Sequence, residues 1–194
     1  MGTRGCYGFR KNGIDKLTYN HFDSYPSYLG KIILEFFKET SLDEMNEIYD
    51  RLIMVDEGGK PTPEQIEECK KYYDENVSKQ TPEEWYCLLR KVQGKPNEYK
   101  HGLRYMTDDG DFIKDSLCCE YAYIINLDTK QLEFWKGFQH KPDPDNRYGT
   151  NPRKEYSDNY YPCKLTATYS LIPYYIAKRD VDKTIADMEK KSGY

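Results

Sequence analysis

Three observations predict a single-domain α+β fold. A hairpin signal opens the chain, helix-start signals crowd positions 41–84, and period-two alternation returns from about residue 99. The expected architecture is an antiparallel sheet made of N- and C-terminal hairpins, with a four-helix middle segment packed on it. Along 1–194, the hairpin takes 1–26 and an acidic helical segment takes 27–94. Strands follow at 99–176, with a long loop at 139–163, and a C-terminal helix closes the chain at 180–191. A chain of 194 residues can bury one sizeable core. Mean hydropathy is low, at −0.95. The 20 Tyr, 7 Phe and 2 Trp compensate, because they bury large areas and carry hydrogen-bonding groups.

The first element follows from Asn12-Gly13, a dipeptide that accepts positive φ at both central positions of a type I′ turn. That turn sets Lys11 opposite Ile14, Gly8 opposite Leu17, Cys6 opposite Tyr19 and Arg4 opposite His21. Because strand side chains alternate, Arg4, Cys6, Tyr19, His21 and Asp23 are expected on one face, with Tyr7, Phe9 and Thr18 on the other.

The helices have explicit start signals. Leu29, Ile32, Ile33, Phe36 and Phe37 follow helical spacing. Ser41 with Glu44 is a capping box, and the helix it opens turns Leu42, Met45, Tyr49, Leu52 and Ile53 inward. After the break at Gly58-Gly59-Lys60-Pro61, Thr62-Pro63 with Gln65 and Thr81-Pro82 with Glu84 repeat one device of capping threonine and N1 proline. The third helix is expected to bury Ile66, Cys69 and Tyr73. The fourth is expected to bury Trp85, Leu88, Leu89 and Val92 and to stop at Gly94.

Period two then places Tyr121 to Leu127 in one strand and Leu132 to Gly137 in its partner, across a short connection at Asp128 to Gln131. A further strand runs near Leu165 to Ile172. In the last helix Val181, Ile185 and Met188 face inward. Adjacent Cys118 and Cys119 are expected on opposite faces of a strand.

Several chemistries are excluded. No long apolar window suggests a signal peptide or membrane span, so a cytoplasmic protein is expected. The six cysteines lack CxxC spacing and paired histidines, which argues against zinc and a disulfide framework. No Walker-type loop or dinucleotide fingerprint is present, so no cofactor is expected. Asp108-Asp109-Gly110-Asp111 lacks calcium-loop spacing and reads as a turn.

Two kinds of functional residue remain. Cys6 beside His21 has the makings of a thiolate nucleophile, with Asp23 or Arg4 orienting or stabilising it, as in N-terminal-nucleophile amidohydrolases. The same residues equally describe a buried thiol and a histidine bonded at a strand end. The second kind is a binding surface. Residues 41–84 hold 13 acids against 5 bases, while the rest of the chain holds 20 against 24. Within that block, Glu64, Glu67, Glu68, Asp74 and Glu75 suit a basic partner groove, or else are the solvated faces of amphipathic helices. In the long loop, Arg147, Tyr148, Arg153, Tyr156, Tyr160 and Tyr161 are of the types enriched at binding hot spots, or else pack the loop upon itself. Direct nucleic-acid binding is not favoured in a chain of net charge −4 without a basic helix.

Met1 to Gly5 (MGTRG), followed by Tyr19 to Pro26, Leu29 and Gly30 (YNHFDSYPxxLG), resembles a family of small proteins of phages, prophages and some bacteria and fungi. Glu120 to Tyr123 with Leu132 to Phe134 is similar to a hairpin of the same family. The resemblance covers about a third of the chain. It implies a mobile-element accessory protein working in a bacterial host cell by stoichiometric protein binding. Its most concrete form is an anti-CRISPR protein that inhibits an RNA-guided Cas nuclease. A cysteine amidohydrolase and a phage structural protein are the alternatives.

Overall fold

The structure, a computed structural model, describes residues 2–77, 81–152, 159–172 and 180–193. Strands β1 (Gly5–Lys11) and β2 (Ile14–Asn20) form the opening hairpin in the expected register, Gly8 opposite Leu17 and Cys6 opposite Tyr19. Asn12 and Gly13 take φ of 53° and 74° at its tip. The Asp128 carboxylate accepts both of their backbone N–H groups, at 2.8 and 3.1 Å, and ties this turn to the second hairpin.

Helix α1 (Lys31–Glu39) buries Ile33, Leu34, Phe36 and Phe37. Helix α2 (Leu42–Arg51) starts on the complete Ser41–Glu44 capping box. It ends two residues earlier than its apolar pattern suggests. Ile53 therefore opens strand β3 (Ile53–Val55) and lies 44% exposed, instead of facing the core. Helix α3 (Pro63–Cys69) begins on the Thr62–Gln65 box. Its final turn tightens, so Tyr72 is buried where Tyr73 was expected and Tyr73 is only half-buried.

The fourth helix differs most from expectation. Thr81 binds only the Glu83 N–H, and α4 spans just Trp85–Leu88. The Trp85 and Tyr86 N–H groups, free to be capped in an isolated helix, instead bond to the carbonyls of Gly59 and Glu57. The helix thus starts later than expected, on tertiary bonds to its first N–H groups and not on a Thr81 box. A tight turn carries the chain to Gly94, which adopts φ of 71° as the expected stop. Helix α5 (Asn97–Lys100) and strand β4 (Tyr105–Thr107) follow, and β4 pairs in parallel with β3.

Strands β5 (Tyr121–Asn126), β6 (Gln131–Lys136) and β7 (Lys164–Ser170) complete a main sheet of order β2-β1-β5-β6-β7. The sheet is mostly antiparallel, but its centre departs from the expected all-antiparallel arrangement. The two hairpins meet through a parallel pairing of β1 with β5, Gly5 opposite Tyr121 and Arg10 opposite Asn126. The long excursion from β2 to β5 permits this, since parallel neighbours need a crossover connection. Cys118 and Cys119 lie in the turn before β5 and not in a strand. Cys119 is buried and Cys118 is half-buried.

Both faces of the sheet are covered. Tyr7, Phe9, Tyr121, Tyr123, Ile125, Leu132, Phe134 and Tyr169 join the main core with α1, α2 and the last helix, α6 (Val181–Ser192). Val181, Ile185 and Met188 are buried as expected. Cys6, Leu17, Ala122, Ile124 and Trp135 point the other way, under Ile113, Cys119, Cys163 and Tyr148. Burial on both sides accounts for the unbroken burial of β5. Each large apolar side chain so enclosed contributes roughly 1.5–3 kcal/mol.

Gly8 lies where the sheet has no room for a side chain, since a Cβ there would meet the Lys16 carbonyl oxygen at 2.0 Å. Gly8→Ala is expected to lower unfolding free energy by about 1–3 kcal/mol, read from urea denaturation. An unchanged midpoint would show that the hairpin relaxes freely.

Candidate functional site

The opening motif builds a rigid turn between β2 and α1. Asn20 donates to the Phe22 carbonyl at 2.5 Å and to Ser24 Oγ at 2.8 Å. Tyr123, from β5, donates its hydroxyl to the Ser24 carbonyl at 3.0 Å. The Ser24 N–H bonds to the Thr3 carbonyl. Pro26 then starts a short wide turn that leads into α1. Gly5 must be glycine here, because a Cβ would lie 2.3 Å from the Tyr121 carbonyl and 2.7 Å from Ser24. Much of the motif is therefore structural.

Four of its residues are not accounted for in that way. Phe22, Tyr25 and Tyr28 are 53%, 36% and 51% exposed. Asp23 adopts φ of 54°, a left-handed conformation that is uncommon outside glycine. Its carboxylate has no hydrogen bond or ion pair among the described residues.

The turn faces the segment from Arg90 to Lys95 across a cleft of about 430 Å³. Phe22, Asp23 and Tyr28 line one side, and Arg90, Lys91 and Lys95 line the other. The Arg90 guanidinium sits 5.6 Å from the ring centres of both Phe22 and Tyr86 and also bonds Gln93. Gln93 in turn accepts the His21 N–H at 3.2 Å. The His21 ring is held 2.7 Å from the Tyr19 hydroxyl. Partial burial first, then the Arg90 and Arg4 charges, lower the His21 pKa and favour its neutral form.

The hairpin register puts Cys6 beside Tyr19, as expected, but the thiol faces the interior. Cys6 is fully buried with its sulfur 3.9 Å from that of Cys119, and it makes no hydrogen bond to His21. The Cys119 hydrogen bond pulls its pKa down. Desolvation and the neighbouring Cys163, Asp109 and Asp15 outweigh that pull and leave the thiol above its ordinary value. A buried, protonated thiol is the opposite of an activated nucleophile. The Arg4 backbone N–H bonds Glu120, and Asp23 lies across the turn at the cleft. The four candidate catalytic residues are thus not assembled into a reactive constellation.

Arg147 and Tyr148, expected at a binding surface, fold inward over the sheet. Arg147 lies 2.6 Å from the buried Glu133 carboxylate and stacks over Trp135 at 4.6 Å. Glu133 also accepts from Asn126 at 2.6 Å and from Trp135 Nε1 at 3.0 Å. Tyr148 donates to Asp15 at 2.9 Å, and Asp15 pairs with Arg10 at 2.9 Å. Together these groups pin the long loop to β1, β2, β5 and β6. Tyr160 packs against His140 and Phe138, and Tyr161 bridges to Gln139. Arg153 and Tyr156 lie outside the described residues.

The acidic block is only partly free. Glu67 pairs with Lys70, Glu68 pairs with Arg104 at 2.9 Å, and Asp74 accepts the Asn76 N–H at 2.9 Å. Glu64 and Glu75 are exposed and form no ion pair among the described residues. Asp74 also lines the cleft, so the acidic segment ends at the motif turn. Sequence reasoning missed the basic side of this cleft, because Arg90, Lys91 and Lys95 carry no motif of their own. No group of three or more metal-ligating side chains occurs among the described residues, and no described helix is long and apolar enough to cross a membrane. No family model, curated protein or solved structure matches the chain.

The buried Glu133 and the half-buried Asp109 give opposite pH signatures. Desolvation works against the Glu133 charge, but Arg147, Asn126 and Trp135 overcome it and hold its pKa below the ordinary value of 4.5. Its stabilisation is present above that value and is lost as pH falls through the lowered pKa. Glu133→Gln should therefore cost about 3 kcal/mol at pH 7 and flatten the acid limb of a stability–pH curve. Asp109 is shifted upward, chiefly by desolvation, despite accepting the Tyr19 N–H and the Thr107 hydroxyl. Ionising it inside the fold costs stability as pH rises through the raised pKa. Asp109→Asn keeps an acceptor and is expected to match or exceed the parent in thermal stability at pH 7, but not at pH 3.

Proposed function

We propose that this chain acts by binding a macromolecular partner stoichiometrically, without covalent catalysis. The observation that carries the reading is the motif turn, whose backbone is bonded from behind while Phe22, Tyr25 and Tyr28 are left facing solvent. Exposed aromatic side chains on a pre-organised backbone give contact area at little ordering cost, which is how interface hot spots work. The buried Cys6 thiol supports the same reading, because it lacks both exposure and activation.

The partner follows from the resemblance and the charge pattern together. We infer a mobile-element accessory protein that acts in a bacterial cell on an immune protein, in its most concrete form an anti-CRISPR inhibitor of a Cas nuclease. The acidic segment next to the aromatic turn suits a basic nucleic-acid groove, where exposed Glu64 and Glu75 stand in for phosphates.

A target-cleavage assay over a panel of Cas nucleases tests this. Inhibition is expected to reach completion near one equivalent of protein and to survive Cys6→Ala. Phe22→Ala combined with Tyr28→Ala should weaken it at least about tenfold without lowering the melting temperature, as loss of hot-spot residues does. Charge reversal by Glu64→Lys with Glu75→Lys breaks no ion pair among the described residues and should weaken it further. Turnover at sub-stoichiometric protein, or activity lost in Cys6→Ala, would overturn the reading.

A further inference from the structure

The motif cleft has a chemistry that protein binding does not use. Its volume of about 430 Å³ lies in the range of small-ligand sites, about 300–1,000 Å³. Lys91 and Lys95 line it, are exposed, and have no ion pair among the described residues. Arg90 is held in place by Gln93 and by the rings of Phe22 and Tyr86. Burial first, and then the charges of Arg90 and Arg4, lower the pKa of His21 beside the cleft. Asp74, also in the lining, feels the Lys91 and Arg90 charges, but the three cations outnumber it and suit an anion.

Asp23 narrows the choice. Its carboxylate lies in the same cleft without a partner, on a backbone at φ of 54° that costs energy for a residue other than glycine. A bare phosphate or an acidic side chain would be repelled by it. A ligand with an anionic group at one end and N–H donors at the other satisfies both signs of charge. The exposed rings of Phe22 and Tyr28 add a stacking surface for a planar group between those ends.

We propose that the cleft binds a nucleoside phosphate. The phosphate is held by Lys91 and Lys95, the base stacks on Phe22 or Tyr28, and Asp23 accepts N–H groups from the base edge. A carboxylate fits two adjacent donors in fork geometry. Among the bases, guanine offers such a pair, so guanine is the preferred base. Binding is non-covalent and needs no metal from the protein.

Titration calorimetry of the full chain with GMP, AMP and inorganic phosphate tests this separately from any partner protein. GMP is expected to bind with Kd below about 1 mM, with AMP and phosphate each weaker by about tenfold or more. Lys91→Glu with Lys95→Glu, both on exposed positions, should weaken GMP at least about tenfold. Asp23→Asn should make GMP and AMP equal. Asp23→Gly should do the same while raising the melting temperature, because glycine takes positive φ without strain. GMP failing to bind at about 5 mM, equal affinity for all three ligands, or indifference to the lysine variants would overturn the proposal. So would Asp23→Gly that melts lower with its guanine preference intact, since Asp23 would then serve the fold.

Discussion

The parallel pairing of β1 with β5 is the constraint on which the other features rest. It joins two local hairpins, each formed from adjacent sequence, into one sheet. It brings Tyr121 and Tyr123 beside the start of the chain, so the Tyr123 hydroxyl reaches Ser24 and the Tyr121 carbonyl crowds Gly5. The motif turn is thus braced by a strand about a hundred residues away. Without that pairing, the turn would keep only its local bonds, such as those among Thr3, Asn20, Phe22 and Ser24.

The second face of the sheet shows how a polar sequence still closes a core. Glu133 and Asp15 lie beneath the long loop, and their charges are met by Arg147 and Arg10 with hydroxyl and indole donors. A buried ion pair is stabilising only if its remaining hydrogen-bonding sites are filled. Asn126 and Trp135 fill those of Glu133, whereas Asp15 has Tyr148 on one oxygen and the Arg10 charge beside the other. Arg147 and Tyr148, which looked like contact residues, act as internal braces. The three thiols of Cys6, Cys119 and Cys163 fill the apolar part of the same layer as small buried groups.

Function follows from what these braces leave over. The motif invests Asn20, Ser24 and Gly5 in holding a turn, which leaves exposed rings and a strained aspartate at the mouth of a basic cleft. Rigid display of aromatic groups suits recognition. A proton-transfer or nucleophilic site would need its groups within reach of one another, and here the thiol and the imidazole face different surroundings.

Local signals in the sequence determined the local structure. Asn12-Gly13 set the first hairpin and its register, Ser41–Glu44 and Thr62–Gln65 capped their helices, and alternation from Tyr121 to Lys136 set the second hairpin. Each depends on contacts a few residues apart, so the information is contiguous. The parallel junction, the short fourth helix and the inward turn of Arg147 and Tyr148 were decided by tertiary contacts. The helix starts at Trp85 and not after Thr81 because the carbonyls of Gly59 and Glu57 accept the Trp85 and Tyr86 N–H groups and fix the first turn there. The candidate site was half legible. Residues 19–30 stood out as a motif, whereas Arg90, Lys91 and Lys95 became its other wall only when the chain folded back, since a cleft between distant segments leaves no pattern in either segment alone.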